Sequence, residues 1–97
     1  MSELVIENKL GVTKGSAVEQ EVDNNLKGET LEVGLYLAMA RQAQREGLPE
    51  VAAALERIAW DEAWHAARFA ELNGAISAST KENLEKMLAG ERMANKG

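Results

Sequence analysis

Apolar residues recur every three or four positions along most of this chain, the spacing of helices that turn one face inward. Val22, Leu26, Glu29, Val33, Tyr36, Ala40 and Ala43 step by four and three in alternation. Val51, Leu55, Ile58, Glu62, His65, Phe69 and Leu72 repeat the alternation, and Leu84, Met87, Glu91 and Ala94 begin it a third time. Each set lies on one side of its helix as the seam of a bundle.

The punctuation between these stretches sets the boundaries. Ser16-x-x-Glu19 and Ser79-x-x-Glu82 have the form of capping boxes, which open helices. Gly47-Leu48-Pro49 ends one helix and starts the next, since Gly suits the left-handed position after a helix and Pro suits a first turn. The pattern predicts a helix from Ser16 to Glu46, a second from about Pro49 to Asn73 closed by Gly74, and a third from Ser79 to roughly Asn95. Residues 1–15 lack helical periodicity and read as an irregular arm, and Lys96-Gly97 as a frayed end. The short link between the first two helices makes them an antiparallel hairpin. Leu26-Lys-Gly28-Glu29 recurs as Leu88-Ala-Gly90-Glu91, so the third helix reads as a second copy of the first, without the helix that should follow it.

Composition agrees with this all-α reading, because Ala, Glu, Lys, Leu and Arg supply just over half of the 97 residues. A net charge of −5 argues against nucleic acid or an anionic membrane surface as partner. With no cysteine there is no disulfide, zinc ribbon, iron–sulfur site or thiol nucleophile in the chain. The longest apolar run, Leu35 to Ala40, is six residues, far short of a membrane span. Met1-Ser2-Glu3 lacks the basic and apolar blocks of a signal peptide. The expectation is a soluble, acidic, cytoplasmic single domain.

Three ionisable residues interrupt the apolar seams: Glu29, Glu62 and His65. At the helical rise, Glu29 lies roughly 27 Å from Gly47, and Glu62 and His65 roughly 21 and 26 Å up the returning helix. All three therefore fall at one level. Glu62 and His65, three apart, project side by side. Alone, Glu29 reads as a rim residue in reach of water, and His65 as a hydrogen-bonded core histidine. Together they demand a positive partner, because buried bare carboxylates cost several kcal/mol each. Arg41, Arg45, Arg57 and Arg68 lie off the seam, so a divalent cation is the partner expected.

Two hairpins related by a twofold axis would join two copies of each residue. Four carboxylates would then balance two divalent ions, with two imidazoles completing a di-metal site of the kind found in bundles. Mixed carboxylate and imidazole donors suit iron or manganese. Tyr36 is core, or a hydroxyl that holds a ligating carboxylate from behind. Trp60 and Trp64 flank Glu62 and are read as covering the site or an interface. A hairpin plus one short helix leaves apolar surface uncovered, which makes a homodimer the expected assembly.

Gly28-Glu29 with Tyr36 seven residues on, Asp61-Glu62-Ala63-Trp64-His65-Ala66, and Leu88-Ala89-Gly90-Glu91 resemble the rubrerythrin branch of the ferritin-like superfamily. The resemblance implies a four-helix bundle with a non-haem site of two iron ions (manganese being possible) that reduces hydrogen peroxide or oxidises Fe(II) with dioxygen. It implies Glu29, Glu62 and His65 as metal ligands, and Glu91 as the first glutamate of the family's third helix. The family's next glutamate is Ala94 here, and the fourth helix and the cysteine-rich rubredoxin-like domain are missing. Half a site per chain follows. Either two chains dimerise to complete the bundle, or the chain is part of a longer protein. Electrons would come from an external donor such as a rubredoxin-type protein. The alternatives are an iron-binding or ferroxidase storage-type subunit and a metal-free structural dimerisation bundle.

Overall fold

The computed structural model describes residues 10–96, with side chains as far as Glu91. The described chain is three helices and no strand: α1 (Glu19–Arg45), α2 (Pro49–Leu72) and α3 (Thr80–Lys96). The expected hairpin is there, α1 packing along α2, while among the described residues α3 packs against neither.

Backbone chemistry at the helix ends explains the hairpin. After α1, the Gly47 N–H donates to Gln44 O (3.0 Å) and the Leu48 N–H to Ala43 O (2.9 Å), with Gly47 at φ +75°. This paired closure satisfies carbonyls the helix leaves open and turns the chain back within three residues. Pro49 then sits in the first turn of α2. The end of α2 repeats the device. Gly74 (φ +65°) donates to Glu71 O, and the Ala75 N–H donates to Ala70 O at 2.8 Å.

The end of the N-terminal arm docks on that second closure. The Gly11 N–H donates to Glu71 O (2.8 Å), and the Thr13 N–H and hydroxyl both reach Leu72 O (2.9 and 2.8 Å). Asn73 Nδ2 donates to Glu19 O at 2.9 Å, tying the start of α1 to the end of α2. The arm is therefore irregular but anchored over residues 10–15; residues 1–9 lie outside the described part.

Two local expectations need correction. The Ser16–Glu19 capping box does not form: the Ser16 hydroxyl accepts from Val18 N–H, Glu19 receives the Gly15 N–H, and α1 begins only at Glu19. The turn at residues 10–16 uses the serine for itself, since its hydroxyl also donates to Thr13 O. At α3 half of the box forms. The Ser79 hydroxyl accepts from the Glu82 N–H (3.2 Å), but the Glu82 carboxylate accepts a hydrogen bond from the Ser77 hydroxyl, and the Ser79 N–H donates to Ser77 Oγ instead.

The second correction concerns packing. In α1 every expected seam residue is buried or half-buried. In α2 the buried row is Ala52, Ala59 and Ala66, while Val51, Ile58 and His65 are exposed. Small side chains let two helix backbones approach closely, so the alanine row faces α1. Val51, Ile58 and His65 turn to the flank, while Leu55, Glu62, Phe69 and Leu72 stay half-buried as the pattern predicts. Ala40, Ala43 and Ala52, with Leu55 against them, form the packed centre of the hairpin. Among the described residues no large side chain is fully buried, and Leu31, Leu35, Met39, Ile58, Trp60 and Trp64 are exposed. No described helix is long and apolar enough to cross a membrane.

Candidate metal centre

Glu29 stands ten residues into α1, and Glu62 and His65 occupy the corresponding level of the antiparallel α2. Their donor atoms all lie within 4.8 Å of one another. His65 Nδ1 is 3.4 Å from Glu29 Oε2 and 3.9 Å from Glu62 Oε1. The carboxylates are largely covered, at 24% and 19% side-chain exposure, whereas the imidazole is 57% exposed. One face of the cluster is thus open, on the flank that also carries Val51 and Ile58.

Two oxygens decide what this arrangement fits. Glu29 Oε2 and Glu62 Oε2 are buried with no hydrogen-bond partner. Orphaned buried carboxylate oxygens are costly, and His65 approaches the one on Glu29 without forming a hydrogen bond to it. A hard divalent ion ligated by carboxylates and an imidazole supplies the missing positive charge. The residues present fit such an ion.

Glu32 was not legible as part of the site. It lies one turn beyond Glu29 on the exposed flank of α1, yet its carboxyl meets that of Glu62. Its pKa is raised above the ordinary value, first by a hydrogen bond to Glu62, then by the like charge of Glu62, then by slight desolvation. Its signal in the sequence is the spacing itself: Glu29-x-x-Glu32 answers Glu62-x-x-His65 across the hairpin.

The other expected site residues stay apart from this cluster. Tyr36 is half-buried on α1, two turns or roughly 10 Å beyond Glu29. Glu91 is exposed on α3, away from the hairpin. Trp60, which is exposed, lines a shallow apolar depression with Val33, Leu37, Ala59 and Ala63.

The family model for rubrerythrin matches residues 22–96, which include both helices of the hairpin and α3. The chain belongs to the rubrerythrin family. Among its relatives, an uncharacterised protein of Methanocaldococcus jannaschii is 67% identical over 94 residues, covering 97% of this chain and 67% of that protein. Reverse rubrerythrin-1 of Clostridium acetobutylicum is 53% identical over 96 residues, covering 94% of this chain and 52% of that protein. The chain therefore spans between about half and two thirds of these relatives. No solved structure matches it. Rubrerythrin membership agrees with the all-helical fold and with a carboxylate and histidine cluster between paired helices.

Proposed function

We propose that this rubrerythrin-family chain forms a homodimer whose two hairpins build one centre for two iron ions, and that this centre reduces hydrogen peroxide. The observation that carries the reading is the pair of buried, unpartnered oxygens, Glu29 Oε2 and Glu62 Oε2, on carboxylates that both lie beside the His65 imidazole. Glu29 and Glu62 supply the negative charge that holds the ions, and His65 completes each set of ligands. The iron ions, when bound, supply two electrons, one each, to the O–O bond of peroxide.

The protein's own residues set the surroundings of that chemistry. The alanine row of α2 fixes the distance between the two ligand-bearing helices. The partly exposed side of His65 leaves an entry for a molecule as small as peroxide. Tyr36, on the same seam as Glu29, holds a carboxylate or lines the interior once the bundle is closed. The dimer follows from the energetics of burial. The hairpin's core is alanine and one valine, and its exposed Leu, Ile, Met and Trp side chains need a partner to cover them.

Since the chain holds no cysteine, electrons return to the site from a separate donor of the rubredoxin type, or from another part of a longer polypeptide. The test is anaerobic mixing of Fe(II)-loaded protein with peroxide. Consumption of one peroxide per two Fe(II), with two protons taken up and two waters formed, supports the reading. Oxidation by dioxygen at least as fast as by peroxide, with release of iron, would make the chain a ferroxidase subunit instead.

A further inference from the structure

The hairpin has a second apolar flank, turned away from the metal cluster. At roughly 100° per residue, Trp60 and Trp64 each lie about 160° around α2 from Glu62. Both indoles are exposed, at 66% and 51%, as is Leu37 on α1. Val33, Leu37, Ala59, Trp60 and Ala63 line one shallow depression there, and Trp64 follows Trp60 by one turn. We propose that this flank is the docking surface for the separate electron donor, and that the donor presents an acidic face to it; this rests on the metal-centre reading above.

The charges around the flank give the partner its sign. The chain carries −5 overall, yet every lysine and arginine of the two packed helices lies off the metal flank. Arg57 precedes Trp60 by three residues and Arg41 follows Leu37 by four, spacings that set each beside its apolar neighbour. Among the described residues Arg41 and Arg57 have no bonded partner, and the nearby acids Glu56 and Asp61 bridge to neither. Exposed tryptophan beside unpaired arginine is the composition that dominates binding energy at protein interfaces. A second copy of this chain is a poor occupant, because a twofold contact would set the same arginines against each other.

Position makes that partner the donor. In the proposed dimer the second hairpin covers the flank that carries His65, so the tryptophan flank is the open side of the ligand-bearing helices. Trp64 is joined to His65 by one peptide bond. About the width of one helix, roughly 10–12 Å, separates the flank from the cluster, a span that electrons cross by tunnelling. Each one-electron delivery oxidises the donor and reduces one ferric ion to ferrous. Two deliveries restore the pair after peroxide has been reduced.

The test has two arms. Trp60 and Trp64 are the chain's two tryptophans, so two indole N–H resonances report on this flank. The isotopically labelled full chain is titrated with unlabelled rubredoxin of net negative charge, its iron replaced by redox-inert zinc. Both resonances should shift to saturation, and added salt should weaken the binding. A variant carrying Arg41→Glu and Arg57→Glu should bind tenfold or more weakly, with Lys86→Glu on α3 close to wild type. In stopped flow, reduction of the oxidised, iron-loaded protein by iron rubredoxin should slow by a similar factor in the double variant. Its reduction by a small uncharged hydroquinone should not change.

Unshifted indole resonances overturn the proposal, as does equal weakening by Lys86→Glu, which marks a bulk charge effect. Resonances that move with the chain's own concentration put a second copy on the flank and overturn it too. Wild-type protein that takes up no iron, whatever the titration shows, overturns the metal-centre reading and this role with it.

Discussion

His65 Nδ1 lies 3.4 Å from Glu29 Oε2, so a residue of the second helix and one thirty-six positions earlier on the first share a single pocket of charge. The contact is close enough for ion pairing but not aligned as a hydrogen bond, and the oxygen it approaches has no other partner. An imidazole and a carboxylate held in this way can share a metal ion more readily than they satisfy each other.

Removing the imidazole should therefore cost binding more than folding. His65→Ala should lose most of its Fe(II) affinity, by tenfold or more, while its helical circular dichroism stays close to wild type. Glu62→Gln should behave similarly, since it removes a charge as well as a ligand. Unchanged metal content in both variants would show that the ions bind elsewhere.

Metal should also stabilise the fold. An ion that binds the native state at a hundred times its dissociation constant adds about 2.7 kcal/mol. In a domain of this size that corresponds to roughly 10–20 °C in Tm. The gap between loaded and metal-free protein should be widest near neutral pH and should close toward about pH 4, the ordinary carboxylate range, where protons compete for the ligands. Thermal melts across that range measure it.

In metal-free protein Glu32 gives a second pH dependence. Its carboxyl is raised in the folded state by Glu62, so its protonated form favours folding and that advantage is lost as pH climbs through the folded value. Glu32→Gln keeps a hydrogen-bond donor toward Glu62 without the charge. The metal-free variant should be more stable than wild type at neutral pH, and the difference should vanish once the pH falls below the unfolded carboxylate range. Urea titrations at several pH values would show this crossover or its absence.

At the far end of the hairpin, Gly74 closes α2 with φ +65°, and a side chain there would meet Gly11 Cα at 3.2 Å. Gly74→Ala should destabilise the protein by about 1–2 kcal/mol from the left-handed backbone alone, and further by pushing the arm off the helix end. Because Asn73 and the arm join the start of α1 to the end of α2, the variant should also loosen amide protection at Gly11 and Thr13. Hydrogen exchange reads that directly.

The proposed dimer is tested on the flank that carries His65. Ile58 is exposed there, in the same seven-residue row as Val51 and His65. Ile58→Glu should shift the protein from dimer to monomer in sedimentation at micromolar concentration, because a charge buried in an apolar interface lacks a partner. A wild type that sediments as a folded monomer would contradict the dimer.

Much of this was legible from spacing alone. The α1 seam, the three-residue turn at Gly47 and the meeting of Glu29 with Glu62 and His65 follow from helical periodicity and equal depth along two antiparallel helices. The α2 face was harder to read. Val51, Ile58 and His65 form as regular a row as Ala52, Ala59 and Ala66, and only the closeness of the backbones decides that the alanines face α1. Glu32 is harder to read, because its spacing from Glu29 is a signal but sequence places it off the seam, and its contact depends on how its side chain turns. The placement of α3 is not fixed by its own pattern either: its apolar Leu84, Met87 and Leu88 are exposed in the single chain.

Whether Glu29, Glu62 and His65 hold a metal is decided by anaerobic Fe(II) titration of the metal-free protein with the chain concentration known. Saturation is expected near one ion per chain, two per dimer, with binding largely abolished in His65→Ala. Saturation at no ion per chain, or identical binding by wild type and His65→Ala, would contradict it.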